Sequence, residues 1–158
     1  MADRLTHVND AGAARMVDVS GKDVTARSAT ASGRLRTTLE VVALLRGQGM
    51  PKGDALAVAR LAGIMGAKRA GDLVPLCHPL ALHGVEVDLD VVGDGVTISA
   101  TVRTADRTGV EMEALTAVAV AGLALIDMIK AVDRAAVLTD IRVEVKEGGR
   151  SGTWRRAE

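Results

Sequence analysis

Apolar and polar residues alternate along several stretches of the chain, with the period of two that is typical of β-strands with one buried face. We therefore predict strands at residues 16–20, 24–36, 84–91, 96–103 and 141–146. The alternation at 24–36 is weak because most of its residues are small and polar. The tripeptide Gly93-Asp94-Gly95 lies between the third and fourth stretches and predicts a hairpin turn.

Three other stretches have helical patterns. Residues 37–46 form the first, which ends at a Gly-rich segment. Asp54 then stands where an N-cap carboxylate would accept from the free amides of a second helix, running to about Arg69. The third helix, residues 110–132, is apolar nearly all round, so we expect it to be buried on most sides.

The order of these elements predicts the fold. Strand, two helices, hairpin, helix and strand indicate an α+β, ferredoxin-like sandwich, with an antiparallel sheet and helices packed on one face. We expect residues 1–158 to form one domain, with 1–14 as a loose lead-in and 71–79 as a proline-bounded segment that is not regular helix. A domain of this size has difficulty burying the helix at 110–132 alone, which indicates an oligomer.

Composition excludes several classes of function. The chain has 20 basic and 20 acidic side chains, and Trp154 is its only Phe, Tyr or Trp, so it lacks the features of a nucleic-acid binder. The longest nearly charge-free run, 114–126, is shorter than the ~20 residues of a membrane span, and the polar N-terminus is unlike a signal peptide. One cysteine excludes an intramolecular disulfide. We expect a cytoplasmic protein with neither nucleic acid nor membrane as partner.

The third helix carries charged residues at both ends. Glu113, Asp127 and Lys130 fall within a sector of about 100°, yet Glu113 and Asp127 are about 21 Å apart along the axis. One small-molecule site cannot easily use both ends. If both are functional, a site combines parts of two subunits, or each end meets different loops. The alternative for Asp127 and Lys130 is a surface i, i+3 ion pair, which is common and contributes little.

Two Gly-rich loops are candidates for anion binding. Lys52 lies in a loop just before a helix start, where backbone amides and the helix dipole favour an anion. Lys146 precedes the stretch 147–152 and Arg150 lies within it, and the backbone amides of this stretch could form a phosphate nest. The alternatives are a solvated loop lysine and a flexible turn near the C-terminus.

The pair Cys77-His78 stands between two prolines in a constrained loop. His78 is a candidate acid or base because histidine titrates near neutral pH. Cys77 is more typical of a small buried thiol than of a nucleophile. With His83 these residues could resemble metal ligands, but the segment has no second ligand cluster, so we expect no metal site.

Six stretches taken together resemble one family, cyclic pyranopterin monophosphate synthase, also called the molybdenum cofactor biosynthesis protein C family. They are Met16-Val-Asp-Val-Ser20, Pro51-Lys-Gly-Asp54, Asp72-Leu-Val-Pro-Leu-Cys-His-Pro-Leu80, Thr108-Gly-Val-Glu-Met-Glu-Ala-Leu-Thr116, Asp127-Met-Ile-Lys130 and Gly148-Gly-Arg-Ser-Gly152. The resemblance covers nearly the whole chain, from Leu5 to Trp154. It implies a ferredoxin-like subunit in a hexamer of three dimers, with active sites at dimer interfaces.

The resemblance also implies an activity, that of a lyase. The family rearranges 3′,8-cyclo-7,8-dihydro-GTP to cyclic pyranopterin monophosphate and releases pyrophosphate, in molybdenum cofactor biosynthesis. Opening a purine-derived ring and closing it as a pterin needs several proton transfers. Negative charge on the leaving pyrophosphate needs cations beside it. The resemblance implies no resident cofactor and leaves open whether Mg²⁺ accompanies the triphosphate.

Residue roles follow by motif match. Asp127 is the candidate catalytic carboxylate, and Lys130 and Lys52 are candidate acid/base or charge-stabilising groups. The loop residues Leu76, Cys77 and His78 match one substrate-contacting segment, with His78 also a candidate for proton transfer, and Met112 and Glu113 match a second. Weaker candidates for holding the triphosphate are Arg27, Lys68, Lys146 and Arg150.

One position departs from the family pattern. Arg150 stands where we associate Lys with the Gly-Gly-Lys-Ser-Gly form of this loop; both side chains are cations, so a phosphate role survives. Two rival hypotheses remain: a non-catalytic nucleotide-binding module on the same fold, and a purely structural oligomer in which the long helix is only an interface.

Overall fold

The computed structural model describes residues 6–47 and 49–157 of the chain. Its elements are β1 (Thr25–Arg36), α1 (Leu39–Gly47), α2 (Ala55–Ala67), α3 (Ala70–Leu73), β2 (Gly84–Val92), β3 (Gly95–Asp106), α4 (Glu111–Ile129), β4 (Val137–Glu147) and β5 (Trp154–Arg155). The predicted order of strand, two helices, hairpin, helix and strand is confirmed. The predicted lead-in at 1–14 lies partly outside the described residues.

The strands form one antiparallel sheet in the order β2-β3-β1-β4-β5. The connection from β1 to β2 carries α1 to α3 past β3, and the connection from β3 to β4 carries α4 past β1. This is the ferredoxin-like arrangement, with β5 added at one edge. The predicted α+β fold is therefore confirmed.

Helix α4 lies against the sheet and against α2, and its buried face contributes Ala114, Ala117, Val118, Ala121 and Leu125 to the core. It is long and apolar enough to span a membrane by length and composition, but half of that stretch is buried inside the fold. Its position is that of a core helix.

Small residues allow α4 to approach its neighbours closely. A Cβ at Gly66 on α2 would lie 2.7 Å from the Cβ of Val120, which is fixed to the α4 backbone and cannot rotate away. A Cβ at Gly33 on β1 would lie 2.6 Å from Val118 Cγ1. These glycines therefore set the spacing of α4 against α2 and the sheet.

The burial of α4 and α2 is incomplete on the side away from the sheet. Leu123 on α4 is 59% exposed, and Leu61 and Met65 on α2 are 63% and 64% exposed. The expectation that α4 is buried on most sides therefore holds for its sheet-facing side, while an apolar surface remains open in the single chain.

The predicted strand at 16–20 is wrong. This segment is irregular and forms no ladder with another strand. Its alternation has another cause, because Val17 and Val19 point toward a cavity while Asp18 is exposed and accepts from the Ser20 amide. Period-two burial arises here from a chain that lies along a cavity wall.

Several boundaries also differ from the prediction. Strand β4 begins at Val137 rather than at 141, the short helix α3 enters the segment 71–79, and β5 was not expected. The Asp54 cap is confirmed, since its Oδ1 accepts from the Ala57 amide at 3.0 Å. Helix α2 ends at Ala67, two residues before the predicted end.

Candidate active site

Most of the residues predicted from the sequence fall into two groups at opposite ends of α4. Lys52, Asp127 and Lys130 form the first, which we call the Asp127 cluster. Lys130 Nζ lies 2.7 Å from Asp127 Oδ1, and Lys52 Nζ lies 3.5 Å from Oδ2 while donating to the Asp127 backbone carbonyl at 2.9 Å. The turn before α2 and the end of α4 thus bring together side chains far apart in the sequence.

The electrostatics of the Asp127 cluster favour the charged carboxylate. The hydrogen bond and charge of Lys130, and the charge of Lys52, lower the pKa of Asp127. All three side chains are substantially exposed, at 59% for Asp127, 55% for Lys130 and 41% for Lys52. Within one chain, Asp127 and Lys130 therefore form a surface i, i+3 ion pair. Lys52 adds a second ammonium group beside the same carboxylate, which a simple surface pair lacks.

The second group surrounds a cavity of about 850 Å³ beside the start of α4, which we call the α4 cavity. Predicted residues that line it are Leu76, Cys77, His78, Met112 and Lys146. The cavity is also lined by Ser151, which belongs to the Gly-rich stretch 147–152, and by His7, Lys22 and Trp154, which were not predicted. Trp154 stands out in the sequence only as the sole Phe, Tyr or Trp, and no local pattern marks His7 or Lys22.

Glu113 lies behind the cavity wall, where it contacts Cys77. It is only 3% exposed, Cys77 Sγ donates to its Oε1 at 3.6 Å, and its Oε2 has no hydrogen-bond partner among the described residues. Burial raises the pKa of Glu113, which favours the neutral acid. Burial and the neighbouring Glu113 raise the pKa of Cys77 to about 11, so the thiol stays protonated and is a poor nucleophile.

His78 has one ring nitrogen fixed by the backbone. Its Nε2 lies 2.6 Å from the carbonyl of Val17, which can only accept, so Nε2 carries a proton. In the neutral imidazole Nδ1 is then an acceptor. Two groups with acid/base chemistry therefore lie beside Cys77: His78 in the cavity wall and Glu113 behind it.

The C-terminal Gly-rich turn is organised by Lys146. Its Nζ donates to the carbonyls of Gly148 and Gly152 at 2.9 and 3.2 Å, and also to Ser151 Oγ. Gly149 has φ +74°, and a Cβ there would lie 2.2 Å from Arg27 Nη1. This turn is thus an ordered feature packed on Arg27.

The remaining weak candidates lie elsewhere. Arg27, Lys68 and Arg150 do not line the α4 cavity among the described residues. Arg27 Nε donates to the Asp106 carbonyl at 2.9 Å, Lys68 is the exposed C-cap of α2, and Arg150 is exposed. The described residues contain no group of three or more His, Cys, Asp or Glu placed to hold a metal ion.

The α4 cavity contains no member of the Asp127 cluster among the described residues, because the length of α4 separates the two groups. The 14 helical steps from Glu113 to Asp127 correspond to about 21 Å of helix. The geometry within one chain therefore agrees with the expectation that both ends cannot serve one small-molecule site.

Together these features define a class of protein: a ferredoxin-like α+β protein with a cavity lined by a histidine, a cysteine and a lysine at one end of its core helix, and two lysines around a carboxylate at the other. The profile of the MoaC family matches residues 16–149. The chain belongs to the MoaC family, and the resemblance found in the sequence is confirmed.

Curated relatives match nearly the whole chain. A protein of Streptomyces coelicolor is 70% identical over 155 residues, covering 98% of this chain and 91% of the relative. One of Mycobacterium tuberculosis is 62% identical over 152 residues (96% and 91%), and one of Corynebacterium glutamicum is 56% identical over 151 residues (96% and 97%). The first and third are named cyclic pyranopterin monophosphate synthase, and the second cyclic pyranopterin monophosphate synthase 2.

Proposed function

We propose that this chain is a cyclic pyranopterin monophosphate synthase of molybdenum cofactor biosynthesis. It converts 3′,8-cyclo-7,8-dihydro-GTP to cyclic pyranopterin monophosphate and releases pyrophosphate, as a lyase. The observation that carries the proposal is the 56–70% identity, over nearly the full chain, to relatives of that name.

The α4 cavity supplies groups suited to the ring rearrangement. That reaction needs positioned acids and bases in opposite protonation states. Glu113, whose pKa is raised by burial, contacts the cavity wall through Cys77, and we assign it the role of holding a proton behind that wall, while His78 lines the cavity as the acid/base group. Leu76, Cys77 and Met112 complete the wall against which we place the heterocyclic ring.

The Asp127 cluster supplies groups suited to the phosphate chemistry. Formation of the cyclic phosphate leaves negative charge on pyrophosphate, which cations stabilise. Lys52 and Lys130 provide two such cations, and Asp127 orients both through its carboxylate and backbone carbonyl. Lys146 is a third cation, placed at the α4 cavity. Arg27, Lys68 and Arg150 remain weaker candidates for the triphosphate.

We infer that a complete site contains the α4 cavity of one subunit and the Asp127 cluster of another, in a hexamer of three dimers. Two observations support this arrangement. The two groups are separated by the length of α4 within one chain, and exposed apolar side chains on α2 and α4, such as Leu61, Met65 and Leu123, leave a surface that an assembly would cover.

We place the reaction in the cytoplasm, with a small molecule as substrate and neither nucleic acid nor membrane as partner. No resident cofactor or metal is part of the proposal. Whether Mg²⁺ accompanies the triphosphate is decided by comparing the rate with added Mg²⁺ and with a chelator.

The test is pyrophosphate release by the purified, assembled protein supplied with 3′,8-cyclo-7,8-dihydro-GTP, with GTP as the control nucleotide. We expect release from the cyclic compound only, accompanied by a pterin product. Tight nucleotide binding without release would instead favour a non-catalytic binding module on this fold.

A further inference from the structure

Trp154 is the one aromatic side chain of the chain, and it lines the α4 cavity. Its side chain is 46% exposed although it is the largest apolar group available to the core. An exposed indole in the wall of a small-molecule cavity is unusual in a protein that otherwise has only aliphatic apolar side chains. The ring is therefore not part of the hydrophobic core of the single chain.

The backbone around Trp154 fixes where the ring lies. Strand β5 pairs with β4 so that Trp154 stands opposite Lys146, which places both side chains on the same face of the sheet. Both line the cavity. Lys146 is itself held by the carbonyls of the Gly-rich turn, so an indole and an ammonium group lie side by side in fixed positions.

Arg156 holds the ring from one side. Its guanidinium carbon lies 5.6 Å from the ring centroid, and its Nε donates to the Val143 carbonyl at 2.8 Å. Arg156 is not among the residues that line the cavity, whereas Trp154 is. Arg156 occupies one face of the ring, so a ligand in the cavity would have to stack on the opposite face.

We propose that Trp154 is a substrate-binding residue that stacks on the flat aminopyrimidinone ring of the nucleotide-derived substrate. This inference rests on the proposed function, which supplies a substrate with such a ring. An indole that is already held in place loses little conformational entropy when it stacks on a flat heterocycle. The adjacent Lys146 ammonium is suited to the negative charge of the same ligand.

The sole tryptophan makes the proposal directly measurable. We expect GTP, used as a stable nucleotide probe, to quench the tryptophan emission of the assembled protein in a saturable way. Inorganic tripolyphosphate should compete with GTP but leave the emission nearly unchanged, because it has no ring. Free tryptophan amide titrated with the same GTP corrects for absorption of light by the nucleotide.

Two substitutions provide the kinetic test. Trp154→Phe keeps an aromatic face, so we expect a KM for 3′,8-cyclo-7,8-dihydro-GTP within about threefold of that of the unaltered protein. Trp154→Leu keeps an apolar side chain without a π face, and loss of a base–aromatic stack should raise KM by about tenfold or more. Tripolyphosphate affinity should stay unchanged in both variants, which separates loss of stacking from displacement of Lys146.

The outcomes separate this inference from the proposed function. An active enzyme whose Trp154→Leu variant has an unaltered KM, or in which bound GTP leaves the emission unchanged, overturns the stacking role alone. Absence of pyrophosphate release from the unaltered protein overturns the synthase proposal, and saturable quenching by GTP would then still establish the stacking site. A rise in KM accompanied by an equal loss of tripolyphosphate affinity assigns Trp154 a structural role instead.

Discussion

The buried carboxyl of Glu113 should make the stability of the protein depend on pH in a defined direction. Glu113 is 3% exposed and its Oε2 has no partner among the described residues. Burial raises its pKa above the value of 4.5 expected in the unfolded chain. Between these two pKa values the folded state keeps a proton on Glu113 that the unfolded state has lost. The free energy of unfolding therefore falls as pH rises from 4.5 through the folded pKa.

The substitution Glu113→Gln tests this reasoning because a glutamine resembles the protonated acid in shape and does not ionise. Its carbonyl can accept from the Cys77 thiol in place of Oε1. A buried polar group without a partner costs about 1–3 kcal/mol, and more when it is charged. We therefore expect the variant to match the unaltered protein near pH 4 and to exceed it by about 1–3 kcal/mol at high pH.

Urea unfolding at a series of pH values measures the effect, with the free energy of unfolding compared between the two proteins at equal concentration. Equal concentration matters because assembly stabilises the folded chain by mass action. The difference between the proteins isolates Glu113 from the other titrating groups. A difference that stays constant with pH, or that favours the unaltered protein increasingly at high pH, would refute a raised pKa for Glu113 in the folded protein.

Three further predictions concern the Asp127 cluster, the contact between α2 and α4, and the cavity thiol. Lys130→Ala should keep the fold and assembly yet lose turnover, measured as pyrophosphate release. The control Arg69→Ala removes another exposed i, i+3 ion pair and should keep turnover in the same assay. Gly66→Ala should lower the free energy of unfolding by about 1–3 kcal/mol because its Cβ meets α4, whereas Gly47→Ala, with nothing within 4 Å, should not. Alkylation of Cys77 in the folded protein should be about a hundredfold slower than that of a free thiol near neutral pH, since its pKa is raised from 9.0 to about 11.

Each of these predictions has a contrary result. Full turnover by an assembled Lys130→Ala protein would remove Lys130 from the proposed site. Equal free energies of unfolding for the two glycine variants would show that α4 moves to accommodate a methyl group. Rapid alkylation of Cys77, as judged by mass spectrometry, would show that the thiol is ionised in the folded protein.

Much of the fold was predictable because its elements have local patterns. The alternation in β2 and β3 and the intervening Gly93-Asp94 turn correspond to the observed hairpin. The apolar run of α4 and the Asp54 cap of α2 are equally local, since a cap depends only on the next few amides. The pattern failed at 16–20, where period-two burial arises from a cavity wall instead of a sheet.

The contiguous parts of the candidate site were also predictable. Leu76, Cys77 and His78 are neighbours in the sequence, so any fold that exposes one of them to the cavity places the others nearby. Their proposed roles came from resemblance to a family, since a single His or Lys in a loop has several ordinary explanations. The contact of Lys52 with Asp127 and that of Cys77 with Glu113 could not be read from spacing.

By itself, the sequence determined the order and type of the main elements, the ferredoxin-like class and the family, because these depend on local periodicity and on motifs along the chain. Only the tertiary structure decided which distant groups meet. It placed Lys52 beside Asp127, isolated Glu113 behind Cys77, and turned Trp154 toward the α4 cavity through a two-residue strand. The reason is physical: burial, pKa and contact across the fold depend on how helices and strands pack, and packing is not a property of any local segment.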